Sequence, residues 1–286
     1  MDNGTKKLTA LITGASGGIG LELARLMAKD GIHLVLADIR EKELTEAREL
    51  LHKVNPGIEI STIQLDLARQ EAAEDLYNSV AEQGKVIDIL VNNAGFGIFG
   101  SFAETDWVRE GKLLNLHILT LTHLSKLFLQ GMTERRLGYI LNVSSVAGFQ
   151  PSPLMAVYNA SKAYVLSFSE AIANELKGTG VLVTVLCPGL TRTGFQATVG
   201  VGKPEMTASS WFSSSAEEVA VCGYNALMRG KTVAIPGPVN FVLAHAHRFF
   251  PRGTVTRLVR KVQEKNRSFV RKGNTGLQET ADRSLQ

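Results

Sequence analysis

The feature that most constrains the fold of this chain is a regular alternation of two hydrophobic periods. Short apolar, β-branched runs at 8–13 (LTALIT), 32–37, 58–65, 86–92, 138–144, 181–187 and 232–237 read as strands. Between them lie stretches such as ELARLMAKDG and KELTEARELLHKV, whose apolar residues recur at helical spacing. Strands apolar on both faces and separated by helices require a parallel sheet covered on both sides, joined by right-handed crossovers. The expected class is therefore α/β: a doubly wound parallel sheet of about seven strands, followed by a C-terminal helical extension. No internal repeat or low-complexity linker interrupts the 286 residues, of which 44% are hydrophobic and 20% charged. Boundaries are expected at 1–240 for the nucleotide-binding and catalytic domain, 241–273 for a basic helical extension, and 274–286 for a disordered tail.

Charge separates the extension from the domain. The formal net charge is +4, but from Asn240 onward ten Lys/Arg face three Asp/Glu, which leaves the preceding residues at −3. Basicity belongs to the tail and says little about the main site. For the tail stretch RGTVTRLVRKVQEKNRSFVRK, packing on the domain or a partner subunit is the leading reading; contact with an anionic membrane surface is a minority one. Nucleic acid is set aside because no recognition module accompanies the charge. The N-terminal stretch MDNGTKKLTALITG has no apolar run long enough for a leader or a membrane span. The two cysteines, Cys187 and Cys222, have no metal-type or redox spacing, and a reducing, cytoplasmic setting is expected.

The strongest local signal is TGASGGIG at 13–20, which follows the first strand and opens the first helix. Gly14 permits the tight turn, while Gly18 and Gly20 let backbone approach a pyrophosphate at the helix N-terminus. Ser16 and Ile19 complete that cradle. Asp38 ends the second strand about 20 residues further on, where a carboxylate accepts a hydrogen bond from an adenosine ribose. A carboxylate repels a 2′-phosphate, and neither Gly17 nor Ile39 offers a cation. Arg40 is the nearby cation able to swing round to such a phosphate; with Asp38 in place, NAD is expected ahead of NADP.

A second signal is YNASK at 158–162, which puts Tyr158 and Lys162 on one helical face. A free phenol has a pKa of about 10, too high for an efficient base near neutrality. A neighbouring ammonium, or the positive charge of an oxidised nicotinamide, lowers it. Ser145 and its neighbour Ser144 lie at the mouth of the fifth strand, where a hydroxyl can polarise a substrate oxygen. Asn115 lies in the largely apolar helical segment REGKLLNLHILTLTHL; alone, it reads as a satisfied amide at a helix bend. His117, His245 and His247 lack accompanying carboxylates or thiols, so no metal is expected.

Taken in order, these pieces resemble the single-domain short-chain dehydrogenase/reductase family over roughly residues 5–240. The matching pieces are the glycine turn at 13–20, NNAG at 92–95, Asn115, Ser145, YNASK at 158–162, and PGLTRT at 188–193. NNAGFGIFGSF and RFFPR further resemble the branch of bacterial hydroxysteroid-dehydrogenase-like carbonyl reductases. The resemblance implies Tyr158 as acid/base, Ser145 rather than Ser144 as substrate-orienting hydroxyl, and Lys162 as both tuner and ribose ligand. It also implies Asn115 as part of a water-mediated proton relay with Lys162. Asp66 and Leu67 would lie near the adenine, Asn93, Ala94 and Gly95 along the cofactor loop, and Pro188, Gly189 and Thr193 near the nicotinamide. The implied activity is interconversion of a secondary alcohol and a ketone by a homodimer or homotetramer. Alternatives are reduction of a 3-oxoacyl thioester and non-catalytic dinucleotide sensing. Residues 188–215, with Phe195, Val199, Met206, Trp211 and Phe212, read as a mobile lid. With Phe96, Phe99, Phe149 and Met155 nearby, they suggest a hydrophobic substrate.

Overall fold

The computed structural model describes residues 7–193 and 213–265. Each apolar run is a strand: β1 (Thr9–Thr13), β2 (His33–Asp38), β3 (Ile60–Gln64), β4 (Ile89–Asn92), β5 (Gly138–Val143) and β6 (Val181–Leu186). Thr191–Arg192 (β7) and Ser214–Ser215 (β8) form a separate two-stranded pair, and β9 is Val233–Ala234. Seven strands make one all-parallel sheet in the order β3-β2-β1-β4-β5-β6-β9. The order reverses between β1 and β4, and that switch point opens a crevice at the carboxyl ends of the strands.

The helices are α1 (Gly18–Lys29), α2 (Glu41–Val54), α3 (Ala72–Glu82), α4 (Trp107–Leu114), α5 (Leu121–Arg135), α6 (Ala156–Glu175), α7 (Ala216–Met228), α8 (Pro238–Ala246) and α9 (residues 252–265). Alternation along the strands feeds two cores. Ile12, Leu36, Val91 and Leu141 point to the face covered by α1, α2 and α7, where Leu23, Met27, Leu51 and Leu227 meet them. Leu11, Val35, Leu90 and Ile140 point to the other face, against Leu76 and Val80 of α3 and Leu124, Phe128 and Met132 of α5. Leu11, Ile12, Leu36 and Leu90 are all fully buried, as a parallel sheet between two helical layers demands.

Three details depart from the pattern read in the sequence. The last strand is only two residues long, because β9 holds the sheet edge through Val185 N–H to Thr232 and Cys187 N–H to Ala234. The pair β7–β8 had no readable signal; it brings Leu190 and Ser214 within 3.0 Å across the ends of the expected lid. Residues 194–212 of that lid lie outside the described residues, with its Phe195, Val199, Met206, Trp211 and Phe212, as does the 274–286 tail. The segment joining α4 to α5, Asn115–Thr120, is a π-helix, so the helix around Asn115 is locally widened.

Candidate active site

The turn after β1 is held by backbone that tolerates no side chains. Gly14 and Gly18 have φ of +65° and +55°, the left-handed region glycine favours. A Cβ on Gly20 would lie 2.2 Å from the Gly14 carbonyl oxygen. Thr13 Oγ1 accepts from Asn93 N–H at 3.0 Å and Ala94 N–H at 3.1 Å, while Asn93 Nδ2 donates to the carbonyls of Thr13 and Gly14. The β1 turn and the loop after β4 are thereby locked together beneath the crevice. Helix α1 starts at Gly18 behind Gly17, which has no side chain to cap it, so its first N–H groups face the crevice. This cradle, with Thr193 standing over Gly18, fits a dinucleotide pyrophosphate.

The rim beside it is a closed polar triangle. Asp38, nearly buried at the end of β2, accepts from Ser16 N–H at 3.1 Å and Ser16 Oγ at 2.7 Å. Arg40 donates from Nη2 to Ser16 Oγ at 2.6 Å and from Nε to Asp38 Oδ1 at 3.3 Å. Burial raises the Asp38 pKa, but the hydrogen bonds from Ser16 and Arg40 outweigh it and leave the carboxyl below its ordinary value. Arg40 therefore already stands at the rim, its guanidinium half-exposed above Gly17, with no swing required. Further along, Asp66 Oδ1 accepts from Ala68 N–H at 2.9 Å, and the Leu67 carbonyl accepts from Thr120.

On the other side of the switch point the groups are dry. Tyr158 and Lys162, in the first turns of α6, are 8% and 6% exposed, and Lys162 Nζ lies 5.9 Å from the Tyr158 ring centre. Lys162 Nζ donates to the Val143 carbonyl at 2.9 Å, so the end of β5 positions it. Ser145 bonds the Pro188 carbonyl through its hydroxyl at 3.2 Å, caps Ala147 N–H, and hydrogen-bonds Tyr158. Ser144 is spent on the Lys162 backbone carbonyl at 2.7 Å, which anchors α6 and leaves Ser145 as the hydroxyl beside the tyrosine.

The expected tuning of Tyr158 is not what the protein alone produces. Burial pushes the phenol up to about 12, and the hydrogen bond with Ser145 takes back only part of that. Burial pulls Lys162 down to about 8, with the Cys187 thiol opposing slightly. At this distance the ammonium does not overcome the desolvation of its neighbour.

The amide nitrogen of Asn115 has a structural role, which can coexist with a place in a relay. Its Nδ2 donates to the carbonyls of Ala68 at 3.0 Å and Arg69 at 2.7 Å, pinning the widened helix to the loop that carries Asp66 and Leu67. This fits the plain reading of a satisfied amide at a helix distortion. Asn92 donates to Ser125 and to Asn142, which passes a bond to Ser169, a buried polar ladder across β4, β5, α5 and α6.

Three residues gain roles that the sequence did not disclose. His117, 1% exposed, accepts from Phe96 N–H at Nε2 (3.3 Å) and meets Ser161 Oγ at Nδ1 (2.9 Å). Ser161 donates in turn to the Tyr158 carbonyl, so the imidazole ties the loop after Gly95 to the turn bearing Tyr158. Its signal was a histidine on the apolar side of a helical segment, read only against a metal. Asn240, buried, donates to the Pro236 carbonyl and sits where a Cβ on Gly189 would go, 2.1 Å from its Oδ1. A lone Asn in GPVNF carries no pattern that predicts this.

The comparisons agree with this fold. A family model described as short chain dehydrogenase matches residues 8–203. The ketoacyl reductase HetN of Nostoc sp. is 32% identical over 212 residues, covering 74% of this chain and 73% of that protein. A short-chain dehydrogenase of Sphingobium yanoikuyae, solved in complex with NADPH, superimposes with a TM-score of 0.75 at 29% identity, covering 87% of this chain and 95% of that one. A bulky-bulky ketone specific alcohol dehydrogenase of Comamonas testosteroni does so with a TM-score of 0.72 at 28% identity, covering 86% and 93%. The chain belongs to the short-chain dehydrogenase family, NAD(P)-dependent oxidoreductases acting on CH–OH groups.

Proposed function

We propose that the protein interconverts a hydrophobic secondary alcohol and its ketone, with Tyr158 as acid/base, Ser145 orienting the substrate oxygen and Lys162 stabilising the phenolate. The observation that carries this reading is the convergence of partly buried Ser145 with buried Tyr158 and Lys162 at the carboxyl end of β5. The nicotinamide dinucleotide, when bound, supplies or accepts the hydride. Ser145 holds the carbonyl oxygen by a hydrogen bond as negative charge develops there. Tyr158 gives its proton to that oxygen, and the Lys162 ammonium faces the phenolate left behind. A phenol held at about 12 keeps its proton, which suits the reducing direction; oxidation requires further positive charge nearby. In the relay, Asn115 contributes its side-chain oxygen or backbone carbonyl, since its amide nitrogen is engaged elsewhere.

Asp38 supports NAD(H) and Arg40 supports NADP(H); with the carboxylate more buried than the guanidinium, NAD(H) is placed first. A hydrophobic substrate is supported by the apolar wall around Tyr158, where Ile98 and Leu113 pack with Phe96, Met155 and Val157. Reduction of a 3-oxoacyl thioester is the second reading, favoured by the likeness to a ketoacyl reductase. Assembly as a homodimer or homotetramer is proposed through α6, whose outer face exposes Ala156, Ala160, Ala163 and Ser167.

The test follows nicotinamide absorbance with NAD(H) and NADP(H) in parallel, against hydrophobic ketones, steroids, 3-oxoacyl thioesters and their alcohols. Turnover that disappears in Tyr158→Phe supports the proposal. Cofactor binding with no turnover on any substrate class favours a sensing role and sinks the catalytic one.

A further inference from the structure

Among the described residues, the largest concentration of exposed apolar side chains lies at their C-terminal end, beyond β9. In α8 the buried residues are Asn240 and Ala244, while Val239, Val242 and Leu243, at positions i, i+3 and i+4, are 42%, 62% and 53% exposed. Phe249 and Phe250 follow at 83% and 58%. In α9 the inward side is already occupied: Val255 is buried and Gln263 bonds Ser152 and Met155. Its outer side shows Leu258 and Val262 interleaved with Lys261 and Lys265 at i, i+3, i+4 and i+7. Packing onto the domain, the leading sequence reading of this stretch, thus accounts for Val255 but not for the outer residues.

Charge decides what covers them. Among the described residues from Val239 onward, Arg248, Arg252, Arg257, Arg260, Lys261 and Lys265 face a single acid, Glu264, which is paired to Arg260 at 2.7 Å. A second copy docked about a twofold axis would set this same patch against itself, apolar on apolar but also cation on cation. An anionic bilayer surface complements both: rings and aliphatic side chains enter the acyl boundary while the cations meet lipid phosphates. We propose that α8, the Phe249–Phe250 turn and the outer side of α9 form a monotopic docking face for anionic lipid bilayers. Through Gln263 the face is tied to Ser152 and Met155, in the loop just before Tyr158, so docking would turn the substrate side of the crevice toward the membrane. No helix among the described residues is long and apolar enough to cross a membrane, which is consistent with lying on one.

The experiment is co-sedimentation of the full chain with phosphatidylcholine vesicles, with and without phosphatidylglycerol, at low and high salt; it reads binding and is independent of catalysis. Two exposed double variants are compared: Phe249→Ser with Phe250→Ser, and Lys261→Glu with Lys265→Glu. Unchanged thermal melting and cofactor binding establish that each still folds. We expect binding only to the anionic vesicles, reduced about tenfold or more by either variant and by salt. Absence of binding to either vesicle overturns the proposal, as does equal binding with and without phosphatidylglycerol. So does a stable dimer by light scattering that the phenylalanine variant dissolves, which would assign the face to a second copy.

Discussion

Asp38 and Lys162 are both nearly buried charged groups on opposite sides of the β1–β4 switch point, yet they are treated oppositely. Around Asp38, four donors, the backbone N–H and the side chain of both Ser16 and Arg40, offset burial, and the carboxylate is kept charged beside a half-exposed arginine. Around Lys162, burial wins: one backbone carbonyl is its hydrogen-bond acceptor, and its pKa falls to about 8 while its tyrosine neighbour rises to about 12. The rim is built for recognition, where a fixed charge must persist across conditions. The pocket is built for proton movement, where a group held too firmly in one state does no chemistry.

The largest expected effect lies on the pocket side. Tyr158→Phe removes one hydroxyl from a dry site and leaves the cradle untouched. We expect kcat to fall by about 10³-fold, on the order of 4 kcal/mol, with cofactor affinity within about twofold of wild type. A comparable loss of cofactor affinity would mean that the two sides are not separable, and the comparison would break.

Lys162 sharpens the contrast in stability. Its folded pKa of about 8 lies below its ordinary 10.5, so the fold disfavours the ammonium. That cost is fully present below pH 8 and lifts as pH rises from about 8 to 10.5, where the unfolded chain binds the extra proton. Tyr158 acts the other way: its raised pKa contributes stability below pH 10 that is lost between 10 and about 12. Lys162→Met should therefore stabilise the fold near pH 7, by at most ~3 kcal/mol, less what the unmet Val143 carbonyl takes back. Melting temperatures for the two proteins across pH 6–10.5 test this; the gap should close toward the alkaline end. A variant that is less stable throughout would show that Lys162 serves packing rather than chemistry.

The same division explains what was legible in the sequence. The rim and cradle announce themselves because backbone geometry demands glycine at fixed spacing: Gly14 and Gly20 have no substitute that fits. The sheet was legible for a similar reason, since a strand buried on both faces must be apolar throughout. What pattern reading misses depends on where a side chain ends after folding. The order of motifs singles out Asn115, but not that its amide nitrogen turns to Ala68 and Arg69. Arg40 was a cation in the wrong place until the loop after β2 brought it over Ser16. The upward shift of Tyr158 in the protein alone is not legible, because the ammonium is visible in sequence and the depth of burial is not.

Arg40→Ala is a smaller test, on the rim. Losing the guanidinium removes donors to Ser16 and Asp38 and, among the described residues, the cation positioned for a 2′-phosphate there. We expect NADP(H) to bind about tenfold more weakly, while NAD(H), recognised by the carboxylate, changes less than about threefold. Fluorescence titration with both cofactors reads the ratio. Equal weakening of both would mean that Arg40 only stiffens the loop, and the rim would then discriminate through Asp38 alone.

The smallest effect should come from His117, which joins the two sides. Phe96 N–H donates to Nε2, so the imidazole proton resides on Nδ1 and points to Ser161. Protonating the ring would set a second N–H against Phe96, and burial and the Lys162 charge also oppose it, holding the pKa well below its ordinary value. Activity in the wild type should therefore show no His117 ionisation near pH 6.5. His117→Leu leaves Phe96 N–H and Ser161 without their imidazole partner and should lower kcat about fivefold with little change in KM. His117→Gln, which keeps a donor and an acceptor, should recover most of that loss. If Gln is no better than Leu, ring shape rather than hydrogen bonding positions Tyr158, and the edge-on contact between the two rings, 6.0 Å between centres, becomes the link that matters.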